Sequence, residues 1–267
     1  MSNTLLARRA CLPLLLLAGM LVGSVAAAAE VRVMISAGFY GAYAELAPAF
    51  EQASGHHLVT VRGPSVGDSP EAIPTRLARG EAADVVILDD ASADELGRRG
   101  LVKPQTKVEF ARSQIGMVVR AGAPRPDIGS VDAFRQVLLA AKSIGVSDST
   151  SGTYLLTTLF GRLGVADQVA AKSRKVRGPP SGEPVAAVVA RGKVEIGFQQ
   201  LSELMHVPGI TLVGPIPAEL QPRFAYSGVV AASAREVEAA QMLIRFIASP
   251  DAAAAMARAG LTPNAAR

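Results

Sequence analysis

Hydroxyl side chains are concentrated where the sequence predicts that a strand ends and a helix begins. The run Ser147–Thr153 reads Ser-Asp-Ser-Thr-Ser-Gly-Thr and separates a predicted strand, 143–146, from a predicted helix that starts at Tyr154. A small-residue turn at 36–41 comes between a strand beginning at Val31 and the next predicted helix. Free N–H groups at a helix N-terminus attract anions, and hydroxyls add hydrogen-bond donors. Both turns therefore predict contacts to an anion or a carboxylate, although each could also be an ordinary helix cap.

Two further segments place polar side chains at predicted strand ends. Ser65 and Ser69 lie in the loop 63–70 that follows the second strand, and Gln200 ends a strand predicted at 194–198. In α/β proteins, ligands bind outside the carboxyl ends of strands, in the crevice between two halves. We therefore expect these side chains to share one site with the two turns.

Ser65 also permits an enzymatic interpretation. Gly63-Pro64-Ser65-Val66-Gly67 fits the G-x-S-x-G pattern of serine hydrolases, and His206 follows it in the chain. A nucleophile elbow needs a helix directly after the serine, whereas Asp68 and Pro70 prolong a loop here. The first expectation is therefore a protein that is not an enzyme and has no catalytic residue. The alternative is an exported serine hydrolase.

The first 29 residues predict a cleaved signal peptide. Arg8 and Arg9 precede the apolar stretch Cys11–Val25, and the small residues Ala26–Ala29 follow it. The formal net charge of the chain is +4, and the two arginines account for half of it. The only cysteine lies in this leader, so the mature chain has no disulfide. We expect a protein exported to the periplasm.

Composition argues against several kinds of partner. The basic residues are scattered and few aromatic residues lie between them, which disfavours nucleic-acid binding. His56 and His57 have no cysteine or carboxylate nearby at a ligand spacing, so no metal site is predicted. No cofactor is predicted either.

Alternating strands and helices predict an α/β fold. The pattern changes between Lys103 and Arg112, and a second α/β unit follows. We interpret the chain as two α/β lobes with a ligand cleft between them: lobe 1 comprises 30–108 and 226–267, and lobe 2 is inserted as 109–225.

Three segments together are similar to one family. Arg79–Ile87 (RGEAADVVI) resembles its A-D strand motif, Gly192–Gly197 (GKVEIG) a later strand, and Ser249–Ala252 (SPDA) its closing helix. On these motifs, whose order and spacing extend over most of residues 31–262, the chain resembles the periplasmic solute-binding proteins of ABC-type uptake systems. It is most similar to their molybdate-binding-protein-like branch, which is a type II periplasmic binding protein.

The resemblance implies a function and a set of contacts. It implies a monomeric receptor that captures a small anion between two lobes and delivers it to an inner-membrane ABC permease. The family's anion contacts correspond to Gly38, Ser65 or Ser69, Ser151, Gly182 and Gln200. The family has serine where Gly38 stands and often tyrosine where Gln200 stands, so two hydroxyl donors are missing. This difference favours a small organic carboxylate over molybdate.

The expected ligand-binding residues combine these positions with their neighbours. They are Gly38, Phe39, Tyr40, Ser65 and Ser69 from lobe 1, and Ser151, Thr153, Tyr154 and Gln200 from lobe 2.

Overall fold

Apolar side chains on both faces of the first strand place it inside a sheet that is covered on two sides. In β1 (Glu30–Ile35), Val33 packs into one core with Phe39, and Met34 packs into a second core with Ile73. Strands buried on both faces are typical of parallel α/β sheets. The computed structural model describes residues 28–205 and 207–264, so the predicted leader and His206 lie outside the described residues.

Eleven strands form two separate sheets within the described ranges, which confirms the predicted two-lobed α/β fold. In chain order, the other strands are β2 (His57–Arg62), β3 (Val85–Asp89), β4 (Val108–Ser113), β5 (Ile115–Arg120), β6 (Ile144–Ser147), β7 (Ser173–Val176), β8 (Ile196–Gln200), β9 (Ile210–Pro215), β10 (Phe224–Val230) and β11 (Thr262–Pro263). The first sheet has the order β11-β4-β10-β3-β1-β2, and the second has the order β7-β6-β8-β5-β9.

Helices cover both faces of each sheet. They are α1 (Ala37–Ser54), α2 (Ile73–Ala78), α3 (Asp90–Arg98), α4 (Val131–Ala140), α5 (Thr150–Tyr154), α6 (Phe160–Arg162), α7 (Ala166–Ala170), α8 (Val185–Ala190), α9 (Leu201–Leu204), α10 (Val237–Ile247) and α11 (Ala253–Arg258). A π-helical turn, Leu155–Leu159, joins α5 to α6. In the described ranges, no helix is both long enough and apolar enough to cross a membrane.

The chain crosses between the sheets twice. It leaves the first sheet between Ser113 and Ile115 and returns between Pro215 and Phe224. Gln221 bridges the two crossings, because its side chain accepts from the N–H and donates to the carbonyl of Ile115, both at 2.9 Å. Strand β4 therefore belongs to the first sheet. The predicted boundary between the lobes lies after residue 108, at the start of this strand, and it stays a prediction.

The A-D motif has a structural role in lobe 1. Asp84 is buried, and its carboxylate accepts hydrogen bonds from the backbone N–H groups of Arg32, Arg235 and Glu236 at 2.8–3.0 Å. A buried carboxylate is stable when such donors surround it. Asp84 therefore ties the first strand to the segment that leads into α10.

The two predicted anion-binding turns are helical over part of their length. Helix α1 begins at Ala37, directly after Ser36, and not at residue 42. In lobe 2 the helix begins at Thr150 and not at Tyr154. Each strand is followed closely by its helix, so Ser36 and Ser149 are N-cap residues and the two helix N-termini face the same cavity.

Candidate functional site

The carboxyl ends of strands from both lobes enclose one small cavity of about 30 Å³. Lobe 1 contributes Ser36, Ala37, Gly38, Gly63, Pro64, Ser65 and Tyr226. Lobe 2 contributes Ser147, Asp148, Ser149, Thr150, Ser151, Gly178, Pro179, Gln199, Gln200 and Glu203. These described lining residues are mostly neutral hydrogen-bonding groups and include no lysine, arginine or histidine.

The wall from lobe 1 is the start of helix α1. Ser36 is the N-cap residue, with extended backbone angles, and its hydroxyl is buried without a hydrogen-bond partner among the described residues. Gly38 follows two residues later in the first turn, and a Cβ at this position would overlap the phenol of Tyr226. Only glycine lets the helix approach Tyr226 this closely. An orphaned buried hydroxyl beside free helical N–H groups is suited to an anionic ligand.

The opposite wall is the start of the helix at Thr150. Ser149 is its N-cap residue. The hydroxyls of Ser147 and Ser151 share a hydrogen bond of 3.0 Å, and the N–H of Gly152 donates to Ser147 Oγ. Helical structure continues from here through the π-helical turn to Arg162, so the macrodipole of about three turns points its positive end at the cavity.

Strand β8 and helix α9 place three polar side chains at the base of the cavity. Gln199 accepts from the N–H of Val185 at 3.0 Å and donates through Nε2 to Glu203 Oε2 at 2.6 Å. Gln200 is buried, and its Oε1 is another polar atom without a partner among the described residues. The site thus contains an ordered carboxyl group and an amide oxygen that lacks a partner among the described residues.

Burial raises the pKa of two groups that line the cavity. Desolvation raises the pKa of Glu203 to about 7; the hydrogen bond from Gln199 and the charge of Arg62 oppose this change, and Asp148 adds to it. Part of the Glu203 surface stays open to the cavity. Desolvation, together with Glu203 and Asp89, raises the pKa of Tyr226 well above its usual value, so Tyr226 stays a neutral phenol. The cavity therefore holds one carboxyl group that can gain or lose a proton near neutral pH.

Two side-chain hydrogen bonds join the lobes around the cavity. Thr150 Oγ1 donates to Asp89 Oδ2 at 3.0 Å, and Ser181 Oγ donates to Glu71 Oε2 at 2.7 Å. A cavity of about 30 Å³ holds a water molecule or two. A larger ligand therefore needs the lobes to move apart.

Four residues that the sequence predicted as ligand contacts line the cavity. They are Gly38, Ser65, Ser151 and Gln200, and they come from both lobes. Ser65 is buried, and its Oγ accepts weakly from the N–H of Asp89 at 3.4 Å. Their role in binding stays a prediction.

The other five predicted contacts lie outside the cavity lining. Phe39 is fully buried in the lobe 1 core, 5.4 Å from the ring of Phe110, and Tyr40 lies under the guanidinium of Arg62 at 4.1 Å. Tyr154 donates from its hydroxyl to the carbonyl of Leu220. Ser69 and Thr153 are partly exposed. Helical geometry explains Phe39, because a side chain one residue after Gly38 points away from the cavity and into the core.

Ser65 lacks the local structure of a hydrolase nucleophile. It lies in an irregular segment, and the next helix, α2, begins eight residues later at Ile73. A nucleophile elbow is a sharp strand-to-helix turn. His206 lies outside the described residues, so the structure does not test whether it acts with Ser65 in a serine hydrolase.

Eight polar lining residues were not among the predicted contacts. They are Ser36, Ser147, Asp148, Ser149, Thr150, Gln199, Glu203 and Tyr226. The sequence marks Ser36 as a hydroxyl at a strand end and Gln199 as a neighbour of Gln200. Glu203 lies on a four-residue helix that is too short to produce a periodic pattern. Tyr226 comes from β10, which is distant in sequence and reaches the cavity only through sheet pairing with β3.

A larger groove of about 620 Å³ lies elsewhere on lobe 1 but is a poorer site for an anion. Its basic groups are already paired: Arg223 and Arg112 contact Glu109, and Lys107 contacts Asp94. No group of three or more metal-ligating side chains was found within 28–205 and 207–264.

Residues 31–262 match the family described as bacterial extracellular solute-binding protein. Aconitate isomerase from a Pseudomonas species is 46% identical over 86% of this chain and 87% of its own length. Among solved structures, the periplasmic molybdate-binding protein of Azotobacter vinelandii has a TM-score of 0.69 at 22% identity, covering 87% of this chain and 99% of that one. The sulfate-binding protein SubI of Mycobacterium tuberculosis has a TM-score of 0.70 at 21% identity, covering 88% and 87%. The resemblance to the molybdate-binding-protein-like branch is confirmed.

One expectation from the sequence is wrong. The chain was predicted not to be an enzyme, and the relative that is 46% identical over most of its length is named as an isomerase. The motifs that indicated a binding protein belong to the fold, and a fold alone does not decide between binding and catalysis.

Proposed function

Because the chain belongs to the bacterial extracellular solute-binding protein family, we propose that its interlobe cavity binds aconitate and interconverts the two geometric isomers of this tricarboxylate. The observation that carries the proposal is the identity of 46% with aconitate isomerase over 86% of the chain. The predicted preference for a small organic carboxylate agrees with it.

The donors in the cavity suit a carboxylate ligand. Two helix N-termini and the free hydroxyl of Ser36 face one space from opposite lobes. Each donor that a ligand leaves unpaired in a closed cavity costs about 1–3 kcal/mol. A ligand with several carboxylates can satisfy donors on both walls at once, and this favours closure around it.

Isomerisation additionally requires a proton transfer. Aconitate has three adjacent carbons, each with a carboxylate; two share a double bond and the third is a methylene. Removing a methylene proton spreads the electron pair over all three carbons and weakens the double bond, and adding a proton at the other end completes the isomerisation. A group that gains and loses a proton near neutral pH serves both steps, and Glu203 meets this requirement.

Proton NMR of the purified protein with aconitate tests the activity. We expect the same mixture of cis and trans isomers from either starting isomer. Thr157→Val is a matched control, since Thr157 is exposed on the helical segment that begins at Thr150 and should leave the rate unchanged. A raised melting temperature with aconitate but no conversion would contradict isomerisation and support binding alone.

We also propose that the protein is a periplasmic monomer that can deliver its ligand to an inner-membrane ABC permease. The family and the two-lobed cleft support this role. Cells that lack the protein should take up labelled trans-aconitate more slowly. Unchanged uptake would contradict delivery and would leave the isomerase proposal intact.

A further inference from the structure

Three ionisable groups among the described lining residues could exchange a proton with a ligand: Asp148, Glu203 and Tyr226. Asp148 has a structural role, because its Oδ1 accepts from the backbone N–H of Gly178 at 3.1 Å and holds the loop that forms one edge of the cavity, whereas the donor to Glu203 is a side chain, that of Gln199. Tyr226 is fully desolvated and stays neutral, so it cannot act as a base near neutral pH. Glu203 is the remaining candidate.

Gln199 holds Glu203 in one orientation. The N–H of Val185 can only donate, so the side-chain oxygen of Gln199 must face it and the NH₂ group must face Glu203. The resulting bond, 2.6 Å from Gln199 Nε2 to Glu203 Oε2, is possible whether the carboxyl group is ionised or protonated. It restrains the carboxyl group throughout a cycle of proton uptake and release.

The neighbours of Glu203 influence its protonation in opposite directions. Arg62 and Gln199 favour the carboxylate, whereas burial and Asp148 favour the protonated form. The neutral phenol of Tyr226 lies on the lobe 1 side of the cavity. A base whose pKa is near the working pH is efficient in both directions of a proton transfer.

We propose that Glu203 is the catalytic residue that carries the proton during isomerisation, and that Gln199 is its positioning residue; this inference rests on the proposed function. The carboxylate of Glu203 takes a proton from the methylene carbon of aconitate, and the electron pair of the broken C–H bond joins the double bond in a three-carbon system stabilised by the carboxylates. Glu203 then returns the proton to the carbon at the opposite end. A new double bond remains between the central carbon and the carbon that lost its proton, with no net oxidation or reduction.

The test is Glu203→Gln, which keeps the size of the side chain and its contact with Gln199. We expect the rate of isomerisation to fall at least a hundredfold. The rise in melting temperature with trans-aconitate should persist, because the donors from Ser36, Ser151 and the two helix N-termini are unchanged. Glu238→Gln, an exposed position on α10, is the control and should retain full activity.

The outcomes separate the two proposals. If the wild-type protein isomerises aconitate and Glu203→Gln retains more than a third of its rate, the assignment of Glu203 is overturned and the proposed function stands. If the wild-type protein produces no isomerisation, both proposals are overturned.

A second variant tests the positioning role. Gln199→Met removes the hydrogen bond that lowers the pKa of Glu203, so the midpoint of the kcat/KM profile against pH should move upward. A purely structural role would lower activity without moving this midpoint. An unchanged midpoint would therefore overturn the role of Gln199.

Discussion

Thr150 and Asp89 connect the two lobes across the mouth of the cavity through a hydrogen bond of 3.0 Å from Thr150 Oγ1 to Asp89 Oδ2. The other oxygen of Asp89 accepts from the N–H of Ser92 and caps helix α3. The carboxylate of Asp89, at the end of strand β3, thus caps helix α3 and also accepts a hydrogen bond from Thr150, the first helical residue of the opposite wall.

Removing this bond should strengthen ligand binding. Thr150→Val keeps the shape of the side chain and leaves Asp89 bonded to Ser92. The bond stabilises a closed form whose cavity is too small for aconitate by about 0.5–1.5 kcal/mol, so without it the Kd for aconitate should fall roughly 2- to 13-fold. Calorimetric titration measures this change, and Thr157→Val is the control. An unchanged Kd would show that the bond contributes nothing to closure.

A side chain at Gly38 should destabilise the protein. Gly38→Ala places a Cβ where the hydroxyl of Tyr226 lies, and Tyr226 is buried and cannot move aside freely. We expect a loss of about 1–3 kcal/mol in the free energy of unfolding, measured with urea.

Gly41 provides the control on the same helix. A Cβ there makes an ordinary contact of 3.7 Å with Ala259. Gly41→Ala should therefore stabilise the protein by about 0.5–1 kcal/mol, as alanine does inside a helix. If the two variants change stability alike, the close approach of Gly38 to Tyr226 is not what requires glycine.

Ser151→Ala separates binding from stability. Its hydroxyl faces the cavity, and its partner Ser147 keeps the hydrogen bond from Gly152 after the substitution. We expect the Kd for aconitate to rise about fivefold, equivalent to about 1 kcal/mol, and the melting temperature without ligand to change little. Ser130→Ala should give the opposite pattern, because Ser130 caps helix α4 through the N–H of Ala133. Equal loss of stability in both variants would mark Ser151 as structural.

The difference in stability between Glu203→Gln and the wild type should depend on pH. Glu203 keeps its proton in the folded protein up to about pH 7, whereas the unfolded chain releases it near pH 4.5. The folded state binds more protons in this window, so the wild-type protein loses stability as the pH rises through it. Glutamine does not titrate. The variant should match the wild type near pH 4 and exceed it by about 3 kcal/mol at pH 8.

Urea unfolding at these two pH values checks the direction. A constant difference between the variant and the wild type across the range would mean that the carboxyl group is not desolvated in the folded protein.

Local patterns in the sequence were sufficient for the two-lobed fold and for four of the residues that line the cavity. Alternating apolar strands and amphipathic helices predicted both lobes, since burial on a sheet face imposes a period that is visible in the chain. Gly38, Ser65, Ser151 and Gln200 line the cavity because they lie at or shortly after the ends of strands, which face the cleft in such folds. The same motifs suggested a binding protein without catalytic activity, which the enzyme relative contradicts.

Only the tertiary structure brought the remaining residues together. Tyr226 reaches the cavity because β10 pairs with β3, and Glu203 does so from a four-residue helix after β8. Neither position has a local signal, because their surroundings come from segments far away in the chain. The protonation of Glu203 has the same origin: the sequence specifies a carboxyl group, and the packing of two lobes around it removes the water that would keep it ionised.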